Sequence, residues 1–278
     1  MEQVVNGIPV HYQVEGTGSP LLVLHGTPMD HRGVKGVLEP IFGGRKGWSR
    51  IYIDLPGHGK TPGPAWIKNN DQILDFIIRF VDSVIPEENF AIIGESYGGY
   101  LARGIAYLAP ARVQGLFLWC PATGVTSRKL PKPAVRIRDD RLAAELTSDM
   151  EREMFRYAVV QNRKVVDYAR RYLIPGFQVA DHGFIRRVAD TKFSFDLEAA
   201  RFEKPTAIAC GRQDFVVGYD SAYKILDRYP MGTLVIVDGA GHALGITEGT
   251  TLFNASIVQW LQDMELYGAH EARLSVPV

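Results

Sequence analysis

Cysteine is nearly absent, with two residues in 278. That is too few for a disulfide framework, so a reducing, cytoplasmic setting is expected. Neither charge is in surplus. Thirty-one basic side chains balance thirty-one acidic ones, which gives no footing for nucleic acid or a membrane surface as the main partner. No apolar run approaches the ~18 residues that span a bilayer. The first sixteen residues have no basic start and no continuous apolar stretch, so no signal peptide is expected. Internal repeats and low-complexity tracts are missing too. What is left is a globular composition, 46% hydrophobic and 10% aromatic, rich enough for one large core or two small ones and incompatible with disorder.

Order along the chain gives the fold class. Val5, Ile8, Val10, Tyr12 and Val14 alternate about an Asn6-Gly7 turn, which predicts an antiparallel hairpin. Short apolar runs follow at 21–24, 51–53, 90–93, 116–119, 206–209 and 234–237, each too brief for a helix. Amphipathic stretches at 73–84, 97–108 and 219–229 lie between them. Alternation of this kind predicts an α/β protein with a mostly parallel sheet covered on both faces. Between 122 and 204 the rhythm stops. Two helical patterns, 141–160 and 164–173, are punctuated by Pro131, Pro133 and Pro175-Gly176, and the interval is too long for a loop. It reads as an inserted helical subdomain. Seventeen basic and twelve acidic residues give it a net charge of +5, so the remainder carries −5.

Gly94-Glu95-Ser96-Tyr97-Gly98-Gly99 carries the strongest chemical signal. It is a G-x-S-x-G run directly after a predicted strand and before a predicted helix, the context such a serine nucleophile requires. A serine on so sharp a turn is strained, and the flanking glycines let the backbones approach. Such a serine needs a base, and the base needs an orienting acid. Asp214 follows the run at 206–209 and His242 follows the run at 234–237. Parallel strands bring their C-terminal ends to one edge, so Ser96, Asp214 and His242 are expected to converge there. Leu24-His25-Gly26-Thr27-Pro28 follows an early strand. Proline has no N–H, so the Thr27 amide, with that of Tyr97, is the expected oxyanion hole.

Taken together these segments resemble the α/β-hydrolase superfamily, from the initial hairpin to the last helix. The resemblance rests on His25-Gly26-Thr27-Pro28, Asp54-Leu55-Pro56-Gly57-His58-Gly59, the elbow at 94–99, the acid segment at 211–214 and the histidine loop at 239–242. It implies an eight-stranded sheet, a core of residues 1–121 and 205–278, and a helical lid over 122–204 inserted after the sixth strand. It further implies a cofactor-free, carboxylesterase-like serine hydrolase acting on a small ester or related acyl compound, as a monomer or homodimer. Haloalkane dehalogenases and most epoxide hydrolases of this fold use an aspartate where this chain has Ser96. Proline iminopeptidases usually carry tryptophan in the elbow, and C–C bond hydrolases more often place Asn and Met where Glu95 and Tyr97 stand. Both remain as alternative activities, as does a ligand-binding receptor on the same fold.

Other candidates weigh less. Asp238 is an alternative acid but is expected to bond the histidine loop. Glu95 is read either as a second-shell group under the site or as a solvated side chain. His25 and His58 read as structural histidines satisfied by backbone. His11, His31, His182 and His270 stand isolated, without metal-ligand spacing, so no metal is expected. Cys120 and Cys210 are read as small buried hydrophobes that approach one another only if their strands are neighbours. Met150, Met154, Phe155 and Tyr157 are packing residues first. The lid's charge, with Arg128, Lys129, Lys132, Arg136 and Arg138 near its start, leads to an expected preference for neutral or anionic acyl groups over cationic ones.

Overall fold

The computed structural model describes residues 1–125, 129–189, 191–199 and 201–274, with side chains to 269. Arg128 and the His270 side chain therefore lie outside the described residues.

The hairpin forms as its alternation predicts. β1 (Glu2–Val5) pairs antiparallel with β2 (Ile8–Glu15). Asn6 and Gly7 turn with φ of 49° and 79°, the left-handed pair that a tight hairpin needs. Then come β3 (Gly18–Leu24), α1 (His31–Phe42), β4 (Gly47–Ile53), α2 (Asn70–Val84), β5 (Phe90–Glu95), α3 (Tyr97–Leu108) and β6 (Val113–Trp119). The eight-stranded sheet has the order β1-β2-β4-β3-β5-β6-β9-β10, where β9 is Thr206–Gly211 and β10 is Gly232–Val237. β2 runs antiparallel to both neighbours, and every other pairing is parallel.

Apolar residues alternate between two cores. Leu22, Leu24 and Ile92 pack with α2 and α3 on one face. Leu21, Val23, Ile93, Phe117 and Trp119 pack with α1 and α10 (Thr250–Leu274) on the other. α10 was not picked out in the sequence, although Phe253, Ile257, Trp260, Leu261 and Met264 keep a helical stripe that is buried. Trp260 also donates its ring N–H to the Pro205 carbonyl at 3.1 Å. Strand order reverses about β3, with β4 on one side and β5 on the other. The crevice at the C-terminal ends of such strands is where open α/β sheets bind ligands.

Between β6 and β9 the structure departs from the sequence reading. The pattern at 141–160 is broken into α4 (Asp140–Glu145) and α5 (Asp149–Tyr157). The break occurs because Ser148 caps α5, its hydroxyl accepting the Glu151 N–H at 3.1 Å. A two-stranded parallel ladder was not anticipated. β7 (Ile137–Arg138) pairs with β8 (Val160–Gln161), and neither is long enough to show a period. Pro175-Gly176 does not end the next helix. α6 (Arg163–Tyr168) passes through a π-helical stretch, Ala169–Leu173, into α7 (Ile174–Val179), where Pro175 follows directly on the widened π turn. α8 (His182–Ala189) was also unforeseen. The stretch at 219–229 is α9 (Asp220–Ile225) followed by a 3₁₀ turn. Among the described residues, no helix is long and apolar enough to cross a membrane.

Candidate active site

Ser96 stands between β5 and α3 with φ 52° and ψ −114°, the strained elbow conformation that G-x-S-x-G encodes. The glycines are required by contact. A Cβ on Gly94 would come within 2.4 Å of the Gly98 carbonyl oxygen, and one on Gly98 within 2.3 Å of the Leu24 carbonyl oxygen. β9 ends one turn before Asp214 and β10 shortly before His242, so three strands deliver three side chains to one edge. His242 Nδ1 lies 2.8 Å from Asp214 Oδ2, and His242 Nε2 lies 3.1 Å from Ser96 Oγ. Asp214 is fully buried, and its Oδ1 accepts the Val216 and Val217 N–H groups at 2.9 and 3.0 Å. Burial pushes its carboxyl up, but His242 and these donors outweigh burial and hold it below the usual range. An ionised Asp214 accepts the hydrogen bond of the His242 Nδ1–H, which leaves Nε2 free to accept from Ser96.

Burial pushes the His242 imidazole down, but Asp214 and then Glu95 outweigh it and hold it up at about 9. Glu95 is buried beneath the site with Oε1 3.7 Å from His242 Nε2, whereas Oε2 has no hydrogen-bond partner. Its carboxyl is pushed up by burial. It is not a solvated side chain.

Gly26 packs directly on the elbow, where a Cβ would stand 2.9 Å from Ser96 Cβ, and this brings the neighbouring Thr27 beside the serine. Two histidines brace that loop. His25 Nδ1–H donates to the Gly26 carbonyl at 2.8 Å, while Nε2 accepts the Leu55 N–H at 3.0 Å. His58 Nδ1–H donates to the Pro56 carbonyl at 2.9 Å, and Nε2 accepts from the Thr27 hydroxyl at 2.9 Å. Burial lowers both, His58 to about 3; these neutral rings are structural, as their loop setting suggests. Tyr97 donates its hydroxyl to Asn70 Oδ1. Asn70 in turn donates its side-chain amide to the Val188 and Thr191 carbonyls.

An apolar cleft of about 250 Å³ opens beside Thr27 and Tyr97, walled by Leu55, Ile73, Phe184, Ile185 and Val188. A larger one of about 410 Å³, at Arg103, Tyr107 and Arg228, has no nucleophile in its wall. Among the described residues, none of Lys129, Lys132, Arg136 and Arg138 lines the first cleft. Arg136 pairs with Asp238 at 2.8 Å and Arg138 with Asp140 at 2.7 Å. The expectation for Asp238 is thereby corrected. It is half-exposed, bound to Arg136 and to Gln213 at 3.3 Å, and not to the histidine loop. Cys120 and Cys210 are free thiols packed into opposite faces of the sheet. His182 is satisfied by the Phe177 carbonyl at 2.9 Å. His11 and His31, isolated in sequence, meet in space at a ring separation of 5.3 Å.

Glu248 was missed altogether. It is buried, with Oε1 accepting the Val159 and Val160 N–H groups at 2.5 and 2.8 Å and Oε2 the Gly241 N–H at 2.7 Å. One carboxylate thus joins the inserted segment to the residue before His242. No local pattern marks such a glutamate, because its three donors come from two distant segments.

The profile of the family described as Serine aminopeptidase, S33 matches residues 39–248. The chain belongs to this family. It is an α/β-hydrolase enzyme, and the curated proteins it resembles are named for several reactions. A pimeloyl-[acyl-carrier protein] methyl ester esterase of Nitrosomonas europaea is 26% identical over 84% of this chain and 92% of its own. The Legionella pneumophila (strain Paris) protein of that name is 34% identical, over a stretch that spans only 40% of its length. A 2-hydroxy-6-oxononadienedioate/2-hydroxy-6-oxononatrienedioate hydrolase of Pseudomonas putida is 24% identical over 92% of both chains. Among solved structures, an α/β superfamily hydrolase from Oenococcus oeni superposes with a TM-score of 0.83 at 28% identity, covering 95% of this chain and 99% of that one.

Proposed function

We propose that this S33 hydrolase is a serine esterase for small, uncharged acyl groups. The chain of hydrogen bonds from Asp214 through His242 to Ser96, at 2.8 and 3.1 Å, carries the reading. Ser96 Oγ attacks the ester carbonyl as His242 Nε2 takes its proton, and the C=O pair moves onto oxygen. The Thr27 and Tyr97 N–H groups receive that oxyanion, an interaction worth about 3 kcal/mol per donor. His242 returns the proton to the departing alcohol. Water, deprotonated by the same imidazole, then splits the acyl-enzyme. Asp214 holds the tautomer, while Glu95 and His25 position the imidazole and the oxyanion loop.

Residues 122–204 act as the lid over this site, and α8 supplies the outer wall of the acyl cleft through Phe184, Ile185 and Val188. That cleft contains no charged side chain, since His58 in its wall is held neutral. A carboxylate-bearing acyl chain would be desolvated there without a partner, at a cost of several kcal/mol. This argues for neutral acyl groups over the anionic ones that the lid's net charge suggests. It likewise disfavours the dicarboxylate named for the Pseudomonas putida relative.

The test is a panel of p-nitrophenyl esters of rising chain length, a succinyl ester, amino-acid anilides and a vinylogous diketone, with intact-mass detection of an acyl adduct. Short neutral esters should turn over fastest and leave an adduct on Ser96. Preferred cleavage of the diketone or an anilide would replace the esterase reading with C–C bond hydrolysis or aminopeptidase action.

A further inference from the structure

The larger cavity, of about 410 Å³, opens on the second half of α3. Arg103 and Tyr107 stand one turn apart there and so share a face of the helix. Facing them are Arg201 and Phe202, near the end of the inserted segment, and Arg228 and Tyr229, which lead into β10. The Phe202 N–H donates to the Arg228 carbonyl at 2.9 Å and fastens these two stretches together. Three guanidiniums thus line one cavity, and among the described residues no acidic side chain does. Glu198 sits outside the wall, 35% exposed, with its carboxylate 2.7 Å from Arg103 Nη2 and 3.7 Å from Arg228 Nε. Arg201 has no ion pair among the described residues.

Donors outnumber acceptors in this wall. The Arg103 side chain is 1% exposed, and a guanidinium carries five N–H groups. Its Nε donates to the Tyr229 hydroxyl at 2.8 Å, Nη1 to the Thr123 carbonyl and Nη2 to Glu198, so two of the five N–H groups are uncommitted. Tyr229 is buried as well. Its oxygen accepts from Arg103, which leaves its own proton free to be donated, and burial pushes the phenol up so that it keeps that proton. Buried donors without acceptors are costly. A carboxylate answers them best, because its two oxygens match the fork of a guanidinium. One added carboxylate leaves the three arginines and Glu198 with a net positive charge. The Tyr107 and Phe202 rings supply apolar faces beside these donors.

We propose that this cavity is a binding site, separate from the acyl cleft, for a small organic carboxylate with an apolar body. The carboxylate lies against Arg103, Arg201 and Arg228, and the body against Tyr107 and Phe202. Inorganic phosphate would meet the guanidiniums but leave the ring faces uncovered. A neutral amide of the same shape would cover the rings but forgo the charge-assisted bonds. The acyl cleft shares no wall residue with this cavity and offers a carboxylate no cation, so the two sites select opposite chemistry.

The test titrates the full chain with 4-fluorobenzoate, followed by ¹⁹F NMR and calorimetry. One molecule per chain should bind with a Kd below about 1 mM. Inorganic phosphate and 4-fluorobenzamide should each bind at least about tenfold more weakly. Arg201→Met and Arg228→Met change side chains that reach solvent, so both should fold with the parent Tm, and each should weaken benzoate binding by about tenfold. Val188→Phe fills the acyl cleft and is the control for that site; binding should survive it. Failure of the native chain to bind one benzoate overturns the proposal, as does phosphate or the benzamide binding as tightly. So does binding that is undiminished in both arginine variants, or that disappears in Val188→Phe.

Discussion

Replacing Glu95 with glutamine isolates the role of a carboxylate 3.7 Å from His242 Nε2. Two unit charges at that distance interact by about 1 kcal/mol in water and about 4 kcal/mol at an effective dielectric of 20. Those figures correspond to roughly one and three pKa units. His242 also faces Asp214, so His242, Asp214 and Glu95 titrate together, while Glu248 and Cys120 lie close to the histidine loop. Between the two transitions Glu95 is ionised and His242 protonated. An anion there favours imidazolium, which is the inactive form, and removing it lowers the imidazole pKa. The acid limb of kcat/KM, near 9 in the parent, should therefore move down by at least about one unit in Glu95→Gln. Turnover at pH 6–7 would rise relative to the parent, while the alkaline plateau changes little. The measurement is kcat/KM for a short p-nitrophenyl ester from pH 5 to 10 at fixed ionic strength, with spontaneous hydrolysis subtracted and Tm recorded at each pH. An acid limb that stays put or moves up would refute the reasoning, since Glu95 would then be neutral throughout.

Ser96→Ala and Asp214→Asn should each lower kcat/KM by about 10⁴-fold with the Tm preserved, whereas Asp238→Asn, which loses only a half-exposed pairing with Arg136, should stay within about threefold; the same ester assay ranks them. Val188→Phe fills the cleft wall and should shift preference toward shorter acyl chains, read as a falling butyrate-to-acetate ratio of kcat/KM. Glu248→Gln keeps the shape but turns one acceptor into a donor facing a buried N–H, so it should cost about 1–3 kcal/mol in denaturant unfolding and reduce kcat more than it raises KM.

The sheet and the convergence of Ser96, Asp214 and His242 at one edge of it were legible because each has a backbone requirement that few residues meet. A φ of 52° at Ser96, and carbonyl oxygens that would stand under 2.5 Å from any Cβ at Gly94 or Gly98, leave little choice of sequence there. The inserted segment was legible only as helical. Apart from the continuous run through 163–179, its helices are six to nine residues long, too short for propensity to fix their ends, so capping by Ser148 and packing on the core decide. Glu248 was invisible for a different reason. Its Val160 partner lies 88 residues away, and such a contact leaves no spacing to read.

The Glu248 carboxylate also limits how substrate gets in. A flap swinging about its ends would pull Val159 and Val160 off that carboxylate and slacken the Gly241 amide beside His242. Entry by whole-segment opening would therefore switch the catalyst off each time a substrate came in. Transplanting the 122–204 segment from a relative would then succeed or fail on whether the incoming chain offers two amides to Glu248, more than on how well its pocket residues suit the new substrate.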